Sequence, residues 1–484
     1  MKKGFVSIYI ILVILAQLVS SCDGLDENYA TGSNYTLRFS SDTLSFDTIF
    51  STVGSTTKQF MVYNNFDKPL NIQSIELTGG EKTGFRINVD GLKGTTFENV
   101  EVRAKDSMFV FVEVTVNPNG ADQPLLIEDS VIFTTNGVRQ AVKLQAYGQD
   151  VVLCKGGTIF NSDTLLSAKR PYLVYDSLVI SQNATVTVEK GARFYLHDKA
   201  NILVHGTLIA QGKQSAPILF RGDRLDNLLN NLPYNLIPAQ WGGIYFSSQS
   251  FDNIMDHVIV SNGTSGLTFD KSTPEKSKLL ISNSQITNTD GYLLSSINCN
   301  IEAYNCEFSN AGDGVTLLIG GRYNFTHCTL ANYFSFGART IPTLILSNNL
   351  TDKEAKVILY PLLQANFQNS IIDGNLSGEF ALYSQEGSSS NEFNYRFTNC
   401  LIKSKEETNA NFTGTLWGTS PSYRLSGEAG DYRYDFRPDS VSIVKGKADR
   451  TIAQKYPTDR NGVSRLTDSD GPDIGAYEYV RETN

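Results

Sequence analysis

Asn305-Cys306-Glu307-Phe308 and His327-Cys328-Thr329-Leu330 are two copies of one four-residue unit. The unit returns as His257-Val258-Ile259-Val260, Asn283-Ser284-Gln285-Ile286, Asn369-Ser370-Ile371-Ile372 and Asn399-Cys400-Leu401-Ile402. Its second residues stand at 258, 284, 306, 328, 370 and 400, at intervals of 26, 22, 22, 42 and 30. The longest interval reads as two turns of about 21 residues, so the chain winds one coil per repeat. The second and fourth residues are small or apolar, and strand alternation turns both of them inward. Asn or His in first place suits a tight bend and a hydrogen bond to its counterpart in the next coil. Further along come Asn262, Asn288, Asn310 and Asn332. These are expected in the next turn, where left-handed backbone geometry favours asparagine. Coils stacked about 4.8 Å apart form a parallel β-helix, a solenoid with sheet edges only at its ends.

The stretch DSLVISQNATVTVEKGARFYLHDKANILVHGTLIAQGKQSAPILFRG (176–222) and the QWGGIYF that follows extend this reading. Through Gly191, Gly206-Thr207-Leu208, Ala216-Pro217-Ile218 and Trp241-Gly242-Gly243-Ile244, it resembles the opening coils of bacterial right-handed β-helix repeat proteins. TDRNGVSRLTDSDGPDIGAYEY (458–479) is similar to the terminal segment common in that group. The resemblance covers roughly 150–480. It implies a right-handed, pectate-lyase-like β-helix over 151–404, with an end or cap segment over 405–484. Cys306, Cys328 and Cys400 then fall in one interior column, as small buried thiols.

Upstream, short strand-like runs alternate with turn signals. They are TKQFMVY (57–63), LNIQSIEL (70–77), FRINV, MFVFVEVTV (108–116), LLIEDSVIF and VRQAVKLQAYG. Recurrence at about ten residues marks an antiparallel sandwich over 35–150. Through VYNNFDKPLNI, FVFVEVTVNPNG and LQAYG it resembles the Hydin-type immunoglobulin-like domains of bacterial surface proteins. With abundant Gly, Tyr and Phe and almost no helical blocks, the expected fold class is all-β.

At the amino end, Lys2 and Lys3 precede an apolar run from Phe5 to Leu18. That run is shorter than the roughly 20 residues of a membrane span and has the layout of a secretory signal over 1–21. Val19-Ser20-Ser21-Cys22 resembles the lipobox of bacterial lipoproteins. The resemblance implies acylation of Cys22 and a lipid bilayer as partner. Asp23, Asp26 and Glu27 make 22–34 an acidic tether, similar to the surface-export signal of Bacteroidetes lipoproteins. The expected location is the outer membrane, facing outward. A formal charge of −9 and no basic run speak against nucleic acid as a partner. Five cysteines besides Cys22 exclude a dense disulfide framework.

Chemistry is sparse. Asn288-Thr289-Asp290-Gly291 is similar to an NTD motif of pectin hydrolases, but it recurs as turn punctuation, and that family's adjacent DD pair and GHG are absent. Glu302 with Glu307, and Asp252 with Asp256, do not form a convincing catalytic pair; His197, His205, His257 and His327 lack metal spacing. Asp468, Asp470 and Asp473 in DSDGPD are candidate calcium ligands, although no bidentate Glu follows and Pro472 stiffens the loop. A capping loop without a cofactor is the simpler reading. Arg221-Gly222-Asp223 is a chance tripeptide, and 225–240 is an apolar insertion packed on the solenoid. Tyr323 and Tyr333 in aromatic tracts, and Trp417 in a late loop, are candidate platforms for sugar rings. The expected function is therefore non-catalytic binding of a glycan or a surface protein along a sheet face. A polysaccharide lyase or glycoside hydrolase is the alternative, and a structural spacer or assembly subunit the third reading.

Overall fold

The computed structural model describes residues 29–229, 232–385, 392–426, 432–467 and 469–481. The signal segment, Cys22 and most of the 22–34 tether lie outside the described residues. The chain divides after Gln149 into two compact units.

The first unit is an immunoglobulin-like β-sandwich of two five-strand sheets. One sheet runs in the order Arg38–Phe39, Lys58–Tyr63, Ser107–Val114, Phe85–Val89, Leu92–Gly94. The other runs Thr43–Phe50, Val138–Gln149, Leu125–Thr135, Leu70–Leu77, Thr96–Val102. Period-two patterning explains the faces: Phe60, Val62, Val110, Val112, Val131 and Phe133 are buried between the sheets. Asn64, in the turn after Lys58–Tyr63, is buried and donates to the carbonyls of Lys68, Val102 and Arg103 at 2.9–3.0 Å. It thereby satisfies backbone acceptors that the loops leave open.

The second unit is a parallel β-helix. Three long sheets of eleven, nine and ten strands run along it, and every described pairing within them is parallel. At about 4.8 Å per rung, the eleven-strand sheet spans about 48 Å. The column expected from sequence is real. Val260 pairs with Ile286, Ile286 with Phe308, Phe308 with Leu330, Leu330 with Ile372 and Ile372 with Ile402. Val258, Ser284, Cys306, Cys328, Ser370 and Cys400 are all buried beside it. The five described cysteines are free thiols. Aromatic rings stack along the shaft at the rung spacing. Phe325–Phe367, Phe367–Phe397 and Phe397–Phe412 have centroids 4.8–5.1 Å apart and nearly parallel planes.

One corner of the coil is a left-handed bend. His257, Asn283, Asn305, His327, Asn369 and Asn399 all have φ between 48° and 52°. Asn pays the least steric penalty there among non-glycine residues. Side chains bond rung to rung: Asn305 Nδ2 to Asn283 Oδ1 at 3.2 Å, and Asn369 Nδ2 with His327 Nε2 at 3.0 Å. Asn262, Asn288 and Asn310 hold left-handed positions in the next turn, as expected. Asn332 does not share that positive φ. It is fully buried, and its side chain bonds both the N–H and the carbonyl of Ala311.

Two expectations are corrected. The 42-residue interval is one coil, because Leu330 pairs directly with Ile372. The extra chain forms turns and a hairpin of Asn349–Thr351 with Val357–Leu359. Nor is 405–484 only an end piece. Phe412–Thr413 and Leu416–Trp417 complete the last rung. The chain then returns as a strap along the outside of the eleven-strand sheet. Ile474 and Val444 cover Ile371 and Leu401, while Ala476, Tyr477 and Tyr423 cover Ala331. Gly475, at φ 107°, lies so close that a Cβ would sit 2.6 Å from Ile371 Cδ1 and 2.9 Å from Thr329 Oγ1.

Gly475→Ala is therefore expected to loosen the strap, seen as faster proteolysis within 440–480 while the rungs stay protected. Ile286→Ala should cost about 2–5 kcal/mol in urea unfolding, the usual range for emptying a close-packed aliphatic site.

Candidate functional site

The β-helix has three outer faces, and they differ in chemistry. The later rungs of the eleven-strand face are covered by the strap, so their outward residues Ala331, Ile371 and Leu401 are as buried as the inward ones. The nine-strand face presents a column of Val179, Leu203, Tyr245, Thr268, Ser295, Leu317 and Ile345. Tyr245 donates to Asp270 Oδ2 at 2.8 Å, and burial together with that carboxylate pushes its phenol up to about 12.

The ten-strand face changes character midway. Its central outward column begins Thr187, Ile209, Ile254, Leu280 and continues Glu302, Asn324, Asn366, Arg396. A parallel column runs Asn300, Arg322, Gln364. The later rungs read NIEAY (300–304), RYNFT (322–326), QANFQ (364–368) and NYRFT (394–398). Each alternates a polar residue outward with an aliphatic or aromatic residue inward. The amides are held in place by one another: Gln364 Nε2 donates to Asn324 Oδ1 at 2.6 Å, and Asn366 Nδ2 donates to the same oxygen at 3.2 Å. At one border Tyr456 of the strap packs on Tyr304, with centroids 4.8 Å apart. The product is a fixed grid of amide, guanidinium and carboxylate groups repeating at the rung spacing.

Sequence reasoning missed this grid, although the x-Tyr-x-Phe-Thr echo between 322–326 and 394–398 signals it. The residues it favoured lie elsewhere. Tyr323 faces the shaft, fully buried, with its hydroxyl 3.1 Å from Ser296 Oγ, and is no platform. Tyr333 donates to Asp373 Oδ2 at 2.7 Å and packs against Tyr423 and Phe436 of the strap. Burial and the Asp373 charge push its phenol up, and the ring faces are already engaged. Trp417 pairs with Ile402 in the inward column, so it closes the last rung rather than sitting in a loop. It does line a shallow pocket of about 470 Å³ with Phe412, Glu406 and Glu407.

Two of the three candidate calcium ligands lie among the described residues. Asp468 lies outside the described residues. Asp470 is exposed and accepts from Ser469 Oγ at 3.4 Å. Asp473 is buried and accepts from the backbone N–H of Gly446 (2.8 Å) and Tyr479 (2.7 Å). Its oxygens bond the strap's own backbone. Among the described residues, no group of three or more His, Cys, Asp or Glu side chains is placed to hold a metal ion.

Other acidic candidates are also resolved. Glu302 and Glu307 are split by the left-handed bend, and Glu307 accepts a bond from Tyr477 beneath the strap. Asp256 accepts from Ser282 and Asn283 in the next coil. Asp290 and Asp313 occupy one turn register in successive rungs. Partial burial, then the Asp290 charge, raise the Asp313 carboxyl. His197 Nδ1 lies 2.7 Å from Asp223 Oδ2, so the Arg221-Gly222-Asp223 tripeptide is not displayed on a loop. The 225–240 insertion is tied to the solenoid by Asn262 Nδ2, which donates to the carbonyls of Asn235 and Ile237.

The strap is held by a buried charge network. Arg465 donates to Glu478, to Asn305 Oδ1 at 3.0 Å and to the Gly475 carbonyl at 3.1 Å. Arg460 donates to Gln285 Oε1 at 3.3 Å and to Tyr477 at 3.2 Å. Burial raises the Glu478 carboxyl to about 7, against the downward pull of Arg465.

A two-unit all-β protein, a sandwich joined to a parallel β-helix with one polar outer face, is the class that this architecture defines. No family model matches the chain. It is similar to Protein bark beetle of Drosophila melanogaster, with 28% identity over 123 residues; these are 24% of this chain and 4% of that protein's length. Among solved structures, the catalytic domain of a GH87 α-1,3-glucanase in complex with tetrasaccharides is 10% identical, covering 80% of this chain and 96% of that one at a TM-score of 0.19. A Porphyromonas gingivalis W83 protein of unknown function is 12% identical over 27% of this chain and 56% of its own, also at 0.19. The periplasmic chaperone SfaE is 19% identical over 24% and 60%, at 0.18. At such scores, the assignment of fold rests on this chain's own strand pairing.

The strap network makes stability depend on pH. Glu478 holds its proton more tightly folded than unfolded, where a glutamate titrates near about 4.3. Its contribution is therefore full below that value and is lost as pH rises through about 7. His327, kept neutral by burial and by Arg465, acts oppositely and costs stability as pH falls below about 6.5. Between pH 6 and 8 the two oppose each other, Glu478 removing about 1.4 kcal/mol and His327 returning about 0.8, so the wild-type protein should lose only about 0.5 kcal/mol. Glu478→Gln should reverse that slope in denaturation curves, stability then rising from pH 6 to 8.

Proposed function

We propose that this protein is a non-catalytic, lipid-anchored surface protein that binds a polysaccharide along the ten-strand face of its β-helix. The carrying observation is the grid of Asn300, Glu302, Arg322, Asn324, Gln364, Asn366 and Arg396. Amides, guanidinium groups and a carboxylate match the donors and acceptors of sugar hydroxyls. The rung repeat of about 4.8 Å is close to the advance per residue of an extended glycan, so each successive sugar meets a polar group of the next rung. With its few charges of both signs, the grid favours a neutral or weakly charged chain. Acylation of Cys22, a secretory signal over 1–21, export to the outer surface of a Bacteroidetes-type cell and a Hydin-like sandwich as spacer complete the reading. All of these rest on the sequence resemblances. A second reading, glycoside hydrolysis, is favoured only by the paired Asp290 and Asp313.

Affinity electrophoresis through gels loaded with neutral or acidic polysaccharides should retard the protein in at least one neutral gel. The double variant Asn324→Ala/Asn366→Ala should lower the affinity about tenfold, since two or three sugar hydrogen bonds of roughly 0.5–1.5 kcal/mol each are lost. New reducing ends that vanish in Asp313→Asn would instead establish the hydrolase. In membrane fractionation, Cys22→Ala should move the protein to the soluble fraction.

A further inference from the structure

The sandwich carries a groove that plays no part in the β-helix reading. It lies on the outer face of the first sheet, has a volume of about 620 Å³ and is lined by Thr57, Glu81, Arg86, Asn88, Lys93, Phe111 and Glu113 among others. That volume is within the usual range of about 300–1,000 Å³ for small-molecule sites. Register builds it. Asn88 is paired on one side with Lys93 of the edge strand and on the other with Phe111. Lys93 and Phe111 thus flank Asn88 as two walls about 10 Å apart, two strand spacings.

Phe111 continues as a platform with Phe109, at a centroid distance of 5.9 Å on the same outward face. Phe109 is 42% exposed, unusual for a phenylalanine on a solvent-facing strand. Arg86 and Glu113 are held by each other at 3.7 Å, by Thr115 and by Thr57, so the charged end of the groove is preorganised. The amide oxygen of Asn88 is different: it is buried and has no hydrogen-bond partner. A buried acceptor in that state calls for a donor.

We infer that this groove is a saccharide subsite, taking one ring of a neutral hexose between Lys93 and Phe111. The apolar face of the ring lies on Phe111, one hydroxyl donates to Asn88 Oδ1 once the amide turns out of its buried position, and another accepts from Lys93. Two cations and two carboxylates among the lining residues balance, which disfavours acidic sugars.

The test uses the full chain and the methyl glycosides of glucose, galactose, mannose and glucuronic acid in saturation-transfer NMR. At least one neutral hexoside should show transfer. Phe111→Ala and, separately, Asn88→Ala should each reduce it at least fivefold, without shifting the thermal midpoint of the protein. The Asn324→Ala/Asn366→Ala variant should leave it unchanged. The inference is overturned if no hexoside shows transfer, if glucuronide is preferred, or if both sandwich variants retain the signal. Transfer lost only in the Asn324/Asn366 variant would also overturn it, and would leave the β-helix reading standing.

Discussion

Backbone hydrogen bonding between coils sets one distance, the rung spacing, and everything else must fit it. A residue in a parallel rung faces its own counterpart in the rungs before and after. Each column must therefore be compatible with itself. Phenylalanines meet this by stacking face to face at 4.8–5.1 Å in the shaft. Asparagines meet it by donating an amide to the amide oxygen or imidazole nitrogen of the neighbouring rung. Cysteine and serine meet it by being small. The column of Val258, Ser284, Cys306 and Cys328 needs no covalent link, and the thiols remain free.

The same rule shapes the surface. On the ten-strand face, self-compatibility gives amides bonded to amides, and the row left over is an ordered set of donors and acceptors. On the eleven-strand face, the outward residues Ala331, Ile371 and Leu401 are apolar and would be costly in water. The strap resolves this by covering them, and its polar backbone finds partners in the bend column. Asp449 N–H bonds Asn369 Oδ1, and Asn305 donates to the Thr458 carbonyl. Charge also enters where the strap docks, with Arg465 and Glu478 enclosed together. One partner without the other would be an uncompensated buried charge, which makes the pair a device for seating the strap in one place.

Much of the fold was legible because it is periodic. Six recurrences of a four-residue unit located the bend, the inward column and the free thiols. The turn signals of the sandwich bounded six of its ten strands to within a few residues, and missed Arg38–Phe39, Thr43–Phe50, Leu92–Gly94 and Thr96–Val102. What escaped was information that periodicity does not hold. A spacing of 42 residues is compatible with two coils or with one coil carrying an insertion, and only pairing of Leu330 with Ile372 decides between them. The strap was read as an end piece because its few short strands carry no register. The clue lay in its target: Thr329–Asn332 and Ile371–Gly374 are buried on both faces, so runs such as TLAN and IIDG needed a cover. The candidate platforms failed for a related reason. Aromatic residues in a coil point inward or outward by parity alone. Tyr323 has the inward parity, whereas Asn324 beside it belongs to the outer grid.

The left-handed corner has one more consequence. From His257 onward it takes only one or two residues between strands, and its geometry fixes where each new rung begins. The other two corners carry all the variation in loop length, including the hairpin between Asn349 and Leu359. Phase is therefore reset once per revolution, and lengthening a loop elsewhere does not propagate. Such a molecule is tolerant of cargo: a foreign peptide spliced at Lys353–Glu354 would be displayed on an unchanged frame, and natural lineages could diversify those loops at little cost to folding.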